Sequence, residues 1–300
     1  MLELVRGYAT AAFDAAAGEG RLDAVARGLA DISRLFLASE ELRTAIIDPS
    51  IPAQARGQVL EDLLADKVPE EALAVVTFSV EYERATELPK TTEQLVGLAE
   101  VAVANVAAGE RYPPESPIGR SGAYERIRGY AERIFETIAS REDVDLVEEE
   151  LFQLARLAET TPELREALGD GRIPLAPRVA VLTDLLEGRV RLDTQLLCIY
   201  VLRAGRARDL VGALESLVEL AAAEQGRRLA DVRSAIELDD DERDRLSEAL
   251  ARIARRPVEL RVNIDPAVIG GLRIIVGDTI IDGTVRHRLE QLRESLLQPA

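Results

Sequence analysis

The chain has 300 residues, of which 47% are hydrophobic and 30% are charged, and its formal net charge is −17. This length and composition are typical of a globular protein with two or three domains. The acidic excess argues against a nucleic-acid partner, because a phosphate backbone would be repelled. The single cysteine, Cys198, excludes an internal disulfide framework and a cysteine-based zinc site.

The first residues and the most apolar stretches indicate where the protein works. Residues 1–6 show neither the basic nor the apolar region of a secretory signal, which favours the cytoplasm. Residues 72–80 are too few to cross a bilayer, and residues 95–108 contain Glu100, whereas a crossing needs about 20 apolar residues. We therefore predict no direct membrane insertion.

The first predicted element is an antiparallel bundle of about six helices over residues 1–108. Apolar side chains recur there at three- and four-residue spacing, as in Leu22, Val25 and Leu29. Ser39 followed by two glutamates is typical of a helix start, and Ile51-Pro52 opens the next helix. Residues 109–122 contain three prolines and several glycines, which predicts a semi-extended linker between separate domains.

The chain then repeats itself. Residues 6–64, moved forward by 122 positions, align without a gap on residues 128–186, and about 24 of the 59 pairs are identical. Arg6-Gly7-Tyr8-Ala9 falls on Arg128-Gly129-Tyr130-Ala131. A single offset of this size indicates a duplicated domain, since solenoid repeats have periods of about 20 to 50 residues. We predict a second six-helix bundle over residues 123–226.

The glycines of this repeated motif have two readings. Gly7 and Gly129 either allow a helix to approach closely in a groove or merely mark a helix start. A glycine inside a helix costs about 1 kcal/mol relative to alanine. This cost indicates that another group occupies the space that a side chain would fill at these positions.

After about residue 226 the pattern changes. Alternating apolar residues predict strands over 229–238, 258–264, 272–276 and 279–281, with a helix from Asp239 to about Ala254 and a turn at Gly277-Asp278. A last amphipathic helix is predicted over 284–297. The fold class is thus mainly α, with two tandem six-helix antiparallel bundles followed by a small α+β module over residues 227–300.

Reactive groups are scarce. His287, the only histidine, lies between two arginines, which favours a solvated surface position. Cys198 lies between Leu197 and Ile199, which is typical of a small buried hydrophobe. Three consecutive aspartates at 239–241 point in different directions and suit a helix N-terminus better than a metal. We predict no catalytic, cofactor-binding or metal-ligating residues, so a metal hydrolase is a distant alternative.

A resemblance follows from particular residues. The run from Val268 to Arg286, with Arg288-Leu289 after it, resembles the C-terminal signature of the delta subunit of F-type ATP synthase, the family that includes the oligomycin-sensitivity-conferring protein. The Arg-Gly-Tyr-Ala start, the Glu-Leu-Arg and Ile-Pro blocks and Ala204-Gly205-Arg206 resemble that family's helical domain. The likeness covers about 120–300 in full, and residues 1–108 resemble the helical domain a second time, whereas ordinary members have one copy.

The resemblance implies a non-catalytic stator in the peripheral stalk, at the cytoplasmic face of the cell membrane. In the family, the helical domain takes the N-terminal helix of an alpha subunit into a groove between its first and fifth helices. The C-terminal part holds the end of the b subunit, for which we predict the strand 258–264 and the last helix. Carried onto this chain, the groove residues are Tyr130, Ala131, Ile134, Leu197, Val201 and Leu202, with Tyr8 and Ala9 matching in the first copy.

The residues alone leave two alternatives open. Tyrosine and leucine at helical spacing are often simply core, and a generic helical scaffold binding another amphipathic helix would show the same bundles. A generic scaffold has no reason to carry the C-terminal signature.

Overall fold

A computed structural model describes residues 1–138, 140–235, 238–254, 258–264, 268, 270–276 and 279–282. It divides into two compact units, one formed by Met1–Ile134 with Glu149–Leu220 and the other by Phe135–Glu148 with Ala221–Ala300. The predicted turn at 277–278 and the predicted last helix at 284–297 lie outside the described residues. None of the described helices is long and apolar enough to span a membrane.

Six helices form the first helical segment, which runs from Glu3 to Ala107. They are α1 Glu3–Gly18, α2 Leu22–Ala38, α3 Glu40–Ile47, α4 Ala53–Leu64, α5 Glu70–Tyr82 and α6 Leu88–Ala107, with a 3-10 turn at Ala85–Glu87. The core of this segment includes the fully buried side chains Leu29, Ile32 and Phe36 of α2, Leu60 of α4 and Leu95 of α6.

Six more helices form the second helical segment, from Arg120 to Arg228. They are α7 Arg120–Thr137, α8 Arg141–Thr160, α9 Pro162–Gly169, α10 Leu175–Leu186, α11 Leu192–Arg203 and α12 Leu210–Arg228, with a 3-10 turn at Ala207–Asp209. The starts of α9 to α12 follow those of α3 to α6 by the same 122 residues that align the sequences. The mainly helical fold class is confirmed.

The junction between α3 and α4 explains several of the repeated residues. Asp48 accepts the hydroxyl of Ser50 at 2.7 Å and its backbone N–H at 2.8 Å, and these two bonds hold the pKa of Asp48 below its usual range. Arg56 of α4 donates to the carbonyl oxygen of Ile46 at 3.0 Å and to that of Ile51 at 3.1 Å. A cation thus caps the carbonyl end of α3 and sets the direction of α4.

The junction between α9 and α10 is built in the same way. Asp170 accepts the side chain and backbone N–H of Arg172, which together lower its pKa to about 2. Arg178 of α10 donates to the carbonyl oxygen of Leu168 at 2.9 Å, and residue 168 is the equivalent of residue 46. The repeated Asp, Ile-Pro and Arg residues therefore serve the backbone of this turn.

The segment between the helical segments is not a free tether. Glu115, whose side chain is 5% exposed, pairs with Arg6 of α1 at 2.9 Å and lies 3.7 Å from Arg126 of α7. Arg203 of α11 donates to the carbonyl oxygen of Pro113 at 3.0 Å. Residues 108–119 contain no helix, and buried charges tie this segment to both helical segments. The division of the chain into separate helical domains stays a prediction.

The second unit contains a four-stranded sheet. Its strands are β1 Leu229–Ser234, β2 Glu259–Ile264, β3 Leu272–Val276 and β4 Thr279–Asp282, in the order β2-β1-β3-β4. β1 pairs in parallel with β2 and antiparallel with β3, which pairs antiparallel with β4. Helix α13, Asp240–Ala254, lies between β1 and β2 in the chain, and Val232, Leu250, Val258 and Ile274 belong to the core. The predicted α+β character is confirmed.

The contacts of Arg56 predict that this side chain stabilises the junction between α3 and α4. Arg56→Ala is expected to lower the free energy of unfolding by about 2 kcal/mol, because the carbonyl oxygens of Ile46, at the end of α3, and of Ile51, in the turn before α4, lose a buried charged donor. Urea denaturation followed by circular dichroism measures the change. The matched control is Arg34→Ala: Arg34 is 75% exposed and pairs with Asp31 one turn away, so about 0.5 kcal/mol or less is expected. Equal losses in the two variants would contradict the assignment.

Candidate partner-binding surface

Helices α1 and α7 cross at the two glycines of the repeated motif. A Cβ atom built on Gly7 would lie 1.9 Å from the carbonyl oxygen of Arg126, and one built on Gly129 would lie 1.9 Å from that of Leu4. Residues 4 and 126 are themselves equivalent under the 122-residue offset, so the contact is reciprocal, as in an interface between two like surfaces. Both glycines lie inside helices, so they do not mark helix starts. They allow a close approach between α1 and α7, and a role in a partner groove stays a prediction.

An aromatic pair lies next to each glycine. The rings of Tyr8 on α1 and Phe78 on α5 are stacked with centroids 3.8 Å apart, and those of Tyr130 on α7 and Tyr200 on α11 with centroids 3.9 Å apart. Residue 200 is the equivalent of residue 78. In each segment the first and fifth helices are therefore joined through stacked rings, which favours a fixed distance between them.

The structure brings the predicted groove residues together on the first and fifth helices and buries all of them. Their exposed fractions lie between 0 and 4% for Tyr8, Ala9, Tyr130, Ala131, Ile134, Leu197, Val201 and Leu202. A partner helix could reach these side chains only if the packing around them opened. Their assignment to a groove stays a prediction.

A polar cluster that sequence reasoning missed lies between α1, α7 and α11. The hydroxyl of Tyr130 donates to Asp14 at 2.9 Å, and the guanidinium of Arg203 forms a buried ion pair with the same carboxylate. Burial raises the pKa of Asp14 above its usual value, although Arg203 and Tyr130 act to lower it. Burial and the neighbouring Asp14 raise the pKa of Tyr130 well above its usual value, so the phenol stays a neutral donor.

No sequence signal pointed to this cluster. Asp14 is 116 residues from Tyr130 and 189 residues from Arg203. The repeat gave no help, because the positions equivalent to Asp14 and Arg203 hold Glu136 and Glu81. The ion pair therefore joins α1 of the first segment to α11 of the second, and these two acidic residues cannot form the equivalent pair between α7 and α5.

The residues considered for chemistry have structural roles. Cys198 is buried, and burial together with the nearby Glu150 raises the pKa of its thiol to about 12. Asp239 accepts the backbone N–H of Glu242 at 2.7 Å while the Glu242 carboxylate accepts that of Asp239 at 3.1 Å, a capping box at the start of α13. His287 lies outside the described residues. Over the described part of the chain, no three His, Cys, Asp or Glu side chains are grouped to hold a metal.

Comparison with known proteins identifies the family. The profile of the ATP synthase delta (OSCP) subunit matches residues 4–108 and 127–296, which together make up most of the chain. The chain is a member of the ATP synthase delta (OSCP) subunit family. The resemblance predicted from the C-terminal signature and the Arg-Gly-Tyr-Ala start is thereby confirmed.

Relatives with the name ATP synthase subunit delta align over nearly the whole chain. The protein from Beutenbergia cavernae is 32% identical over 94% of this chain and 92% of its own length, and that from Parafrankia sp. is 31% identical over 91% and 86%. The protein from Streptomyces coelicolor is 30% identical over 87% and 84%. A chain of the Toxoplasma gondii mitochondrial ATP synthase hexamer matches with a TM-score of 0.26 at 14% identity, over 58% of this chain and 97% of its own.

The glycine crossing predicts an unusual response to a small substitution in this family member. Gly7→Ala and Gly129→Ala should each lower the free energy of unfolding by about 1–3 kcal/mol, because the new methyl group overlaps a backbone carbonyl that cannot rotate away. Gly97→Ala in α6 is the matched control, since nothing lies within 4 Å of its added Cβ. There the better helix propensity of alanine should raise stability by about 0.5–1 kcal/mol. A stabilising effect at Gly7 or Gly129 would show that the helices do not touch.

The Asp14 cluster predicts a graded loss of stability. Asp14→Ala should cost about 3–5 kcal/mol, because it leaves the buried Arg203 guanidinium without its counter-charge and the Tyr130 hydroxyl without an acceptor. Asp14→Asn keeps an acceptor for the hydroxyl, so a smaller loss is expected. Denaturation at neutral pH measures both. Identical losses for alanine and asparagine would mean that the hydrogen bond to Tyr130 contributes nothing.

Proposed function

We propose that this chain is a non-catalytic peripheral-stalk subunit of an F-type ATP synthase. It links the catalytic alpha/beta head to the b stalk by binding the N-terminal helix of an alpha subunit and the C-terminus of the b subunit. The observation that carries the proposal is the family match over residues 4–108 and 127–296. The protein acts as a peripheral component at the cytoplasmic face of the cell membrane, as part of the complex.

A stator must resist torque without slipping. It needs interfaces that bury apolar anchors in fixed geometry, and it needs an interior that does not shear under load. Two features of the first unit meet the second requirement. The backbones of α1 and α7 touch at Gly7 and Gly129, and the Asp14–Arg203 ion pair crosses between the helical segments. Both resist sliding of one segment over the other.

The first helical segment is a second copy of the head-binding domain in this proposal. The common helix starts, the repeated Arg-Gly-Tyr-Ala motif and the two stretches of family match support a duplication. The segment carries the same Tyr8–Phe78 stack that the second segment makes with Tyr130 and Tyr200. It is expected to bind the head as well as to brace the second segment.

The small α+β module is the proposed attachment for the b subunit. Strand β2 is at one edge of the sheet and β4 at the other among the described strands. Ile264 at the end of β2 is 58% exposed, and an edge strand with unpaired backbone groups can accept a partner. β2 corresponds to the 258–264 segment expected to contact the stalk.

The proposal is tested with the complete chain and two synthetic peptides. One peptide is the N-terminal helix of the alpha subunit and the other is the C-terminal end of the b subunit, both from the same organism. Calorimetry is expected to show that both bind and that neither displaces the other, because they use different parts of the chain. Absence of binding by both peptides would overturn the proposal.

The same titration tests the groove on the first and fifth helices. Because those side chains are buried, Gly129→Ala, which forces α1 and α7 apart, should tighten alpha-peptide binding if the peptide enters there. Unchanged affinity would place the peptide on a surface that is already open.

A further inference from the structure

The repeat makes it possible to ask which surface residues both helical segments have kept. Identity between the segments is expected where a side chain is buried or serves a turn. Within the described residues of the aligned ranges 6–64 and 128–186, only two pairs of identical Val, Leu or Ile residues are exposed in both segments. They are Val59 with Val181 and Leu63 with Leu185.

These four side chains occupy the same place on equivalent helices. Val59 and Leu63 are 39% and 42% exposed on α4, and Val181 and Leu185 are 47% and 39% exposed on α10. Residues four apart lie one above the other on a helix surface. Each segment therefore presents a short apolar stripe in the first unit, with its direction set by the arginine contact of the preceding turn.

An exposed leucine by itself carries little information. Leu157, for example, is 50% exposed, and its identical equivalent Leu35 is partly buried, so this pair is not exposed in both segments. Two other exposed leucines differ between the segments. Leu37 is 65% exposed and its equivalent is Glu159, while Leu192 is 64% exposed and its equivalent is Glu70. The α4 and α10 stripes have remained the same although more than half of the aligned pairs have changed. Internal packing covers only part of each of these side chains, because 39–47% of their surface is exposed, so a contact outside the chain is a further reason to keep them.

The charge beside each stripe indicates what kind of partner fits. An exposed aspartate precedes the leucine in both segments, Asp62 on α4 and Asp184 on α10. After each helix comes one further acid, Asp66 or Glu187, and one exposed cation, Lys67 or Arg189, so acids outnumber bases two to one beside each stripe. The chain as a whole carries a net charge of −17. A second copy of this chain, an anionic membrane or a nucleic acid would be repelled, whereas lysine or arginine beside apolar anchors would be attracted.

We infer that the α4 and α10 stripes are two equivalent docking sites for an amphipathic partner helix with lysine or arginine flanking its apolar residues. Such a helix would place its anchors against Val59 and Leu63, or against Val181 and Leu185, as in helix-on-helix recognition. The inference rests on the proposed function for the identity of the probe. It differs from the groove on the first and fifth helices, whose residues are buried.

The test titrates the complete chain with the synthetic alpha-subunit N-terminal peptide by calorimetry. The wild type is expected to show two sites. The double variants Val59→Ser/Leu63→Ser and Val181→Ser/Leu185→Ser should each lose one, and the combination of all four substitutions should weaken binding at least about tenfold, the effect of losing one anchor of about 1.4 kcal/mol. Leu37→Ser and Leu192→Ser are the matched controls and should keep both sites.

A charge variant tests the electrostatic part. Asp62→Lys combined with Asp184→Lys should weaken binding and reduce its dependence on salt, because both sites lose attraction to a basic helix. Circular dichroism at the titration temperature should show the same helix content in all variants, so that a loss of binding reports the surface and not unfolding.

The outcomes separate this inference from the proposed function. If the fourfold variant binds the peptide as well as the wild type, the docking sites are elsewhere and this inference is overturned while the stalk function stands. If the wild type binds neither this peptide nor the b-subunit peptide, the proposed function fails. A wild-type dimer in sedimentation that the fourfold variant loses would make a second copy the occupant and would also overturn the inference.

Discussion

The reciprocal contact between α1 and α7 is the constraint on which the arrangement of the helical segments depends. A carbonyl oxygen of each helix lies where the other helix would have a Cβ atom, so only glycine is possible at positions 7 and 129. Each glycine costs about 1 kcal/mol in helix propensity relative to alanine. The van der Waals contacts of the closely packed backbones offset this cost. The neighbouring Tyr8 and Tyr130 are then held at the same crossing, where their stacks fix the fifth helices as well.

In both segments the start of the fifth helix packs against the second helix, but different residues make the contact. In the first, Gly28 of α2 leaves room for Pro69 and Ala72, and a Cβ there would lie 2.7 Å from the Pro69 ring. Pro69 has no N–H that needs an acceptor. In the second, the equivalent of Gly28 is Glu150, whose carboxylate accepts the backbone N–H of Arg191 at 3.0 Å and the hydroxyl of Thr194.

Three positions differ together: Gly28, Pro69 and Ala72 in the first segment correspond to Glu150, Arg191 and Thr194 in the second. These differences are coupled, because a change at one position alone would cause a clash or leave a buried polar group without a partner. A glutamate at position 28 would collide with the proline ring, and a glycine at 150 would leave the N–H of Arg191 at the start of α11 without its acceptor. The residues that differ between the segments at these positions are thus combinations that keep the fifth helix in place. Surface positions lack this coupling, and for that reason the unchanged stripes on α4 and α10 point to a partner.

The sequence by itself determined the helical segments, their common offset and the strands of the small module, because each depends on local periodicity, on turn residues and on comparison of the chain with itself. It also determined the family, through the signature around Gly270-Gly271 and the Arg-Gly-Tyr-Ala motif. It located Tyr130 and Leu197 on the first and fifth helices, but could not say whether a partner or the protein covers them. Only the tertiary structure decided that these side chains are buried, that Asp14 meets Arg203 and that Val59 and Leu63 remain open, since burial depends on contacts between residues far apart in the chain.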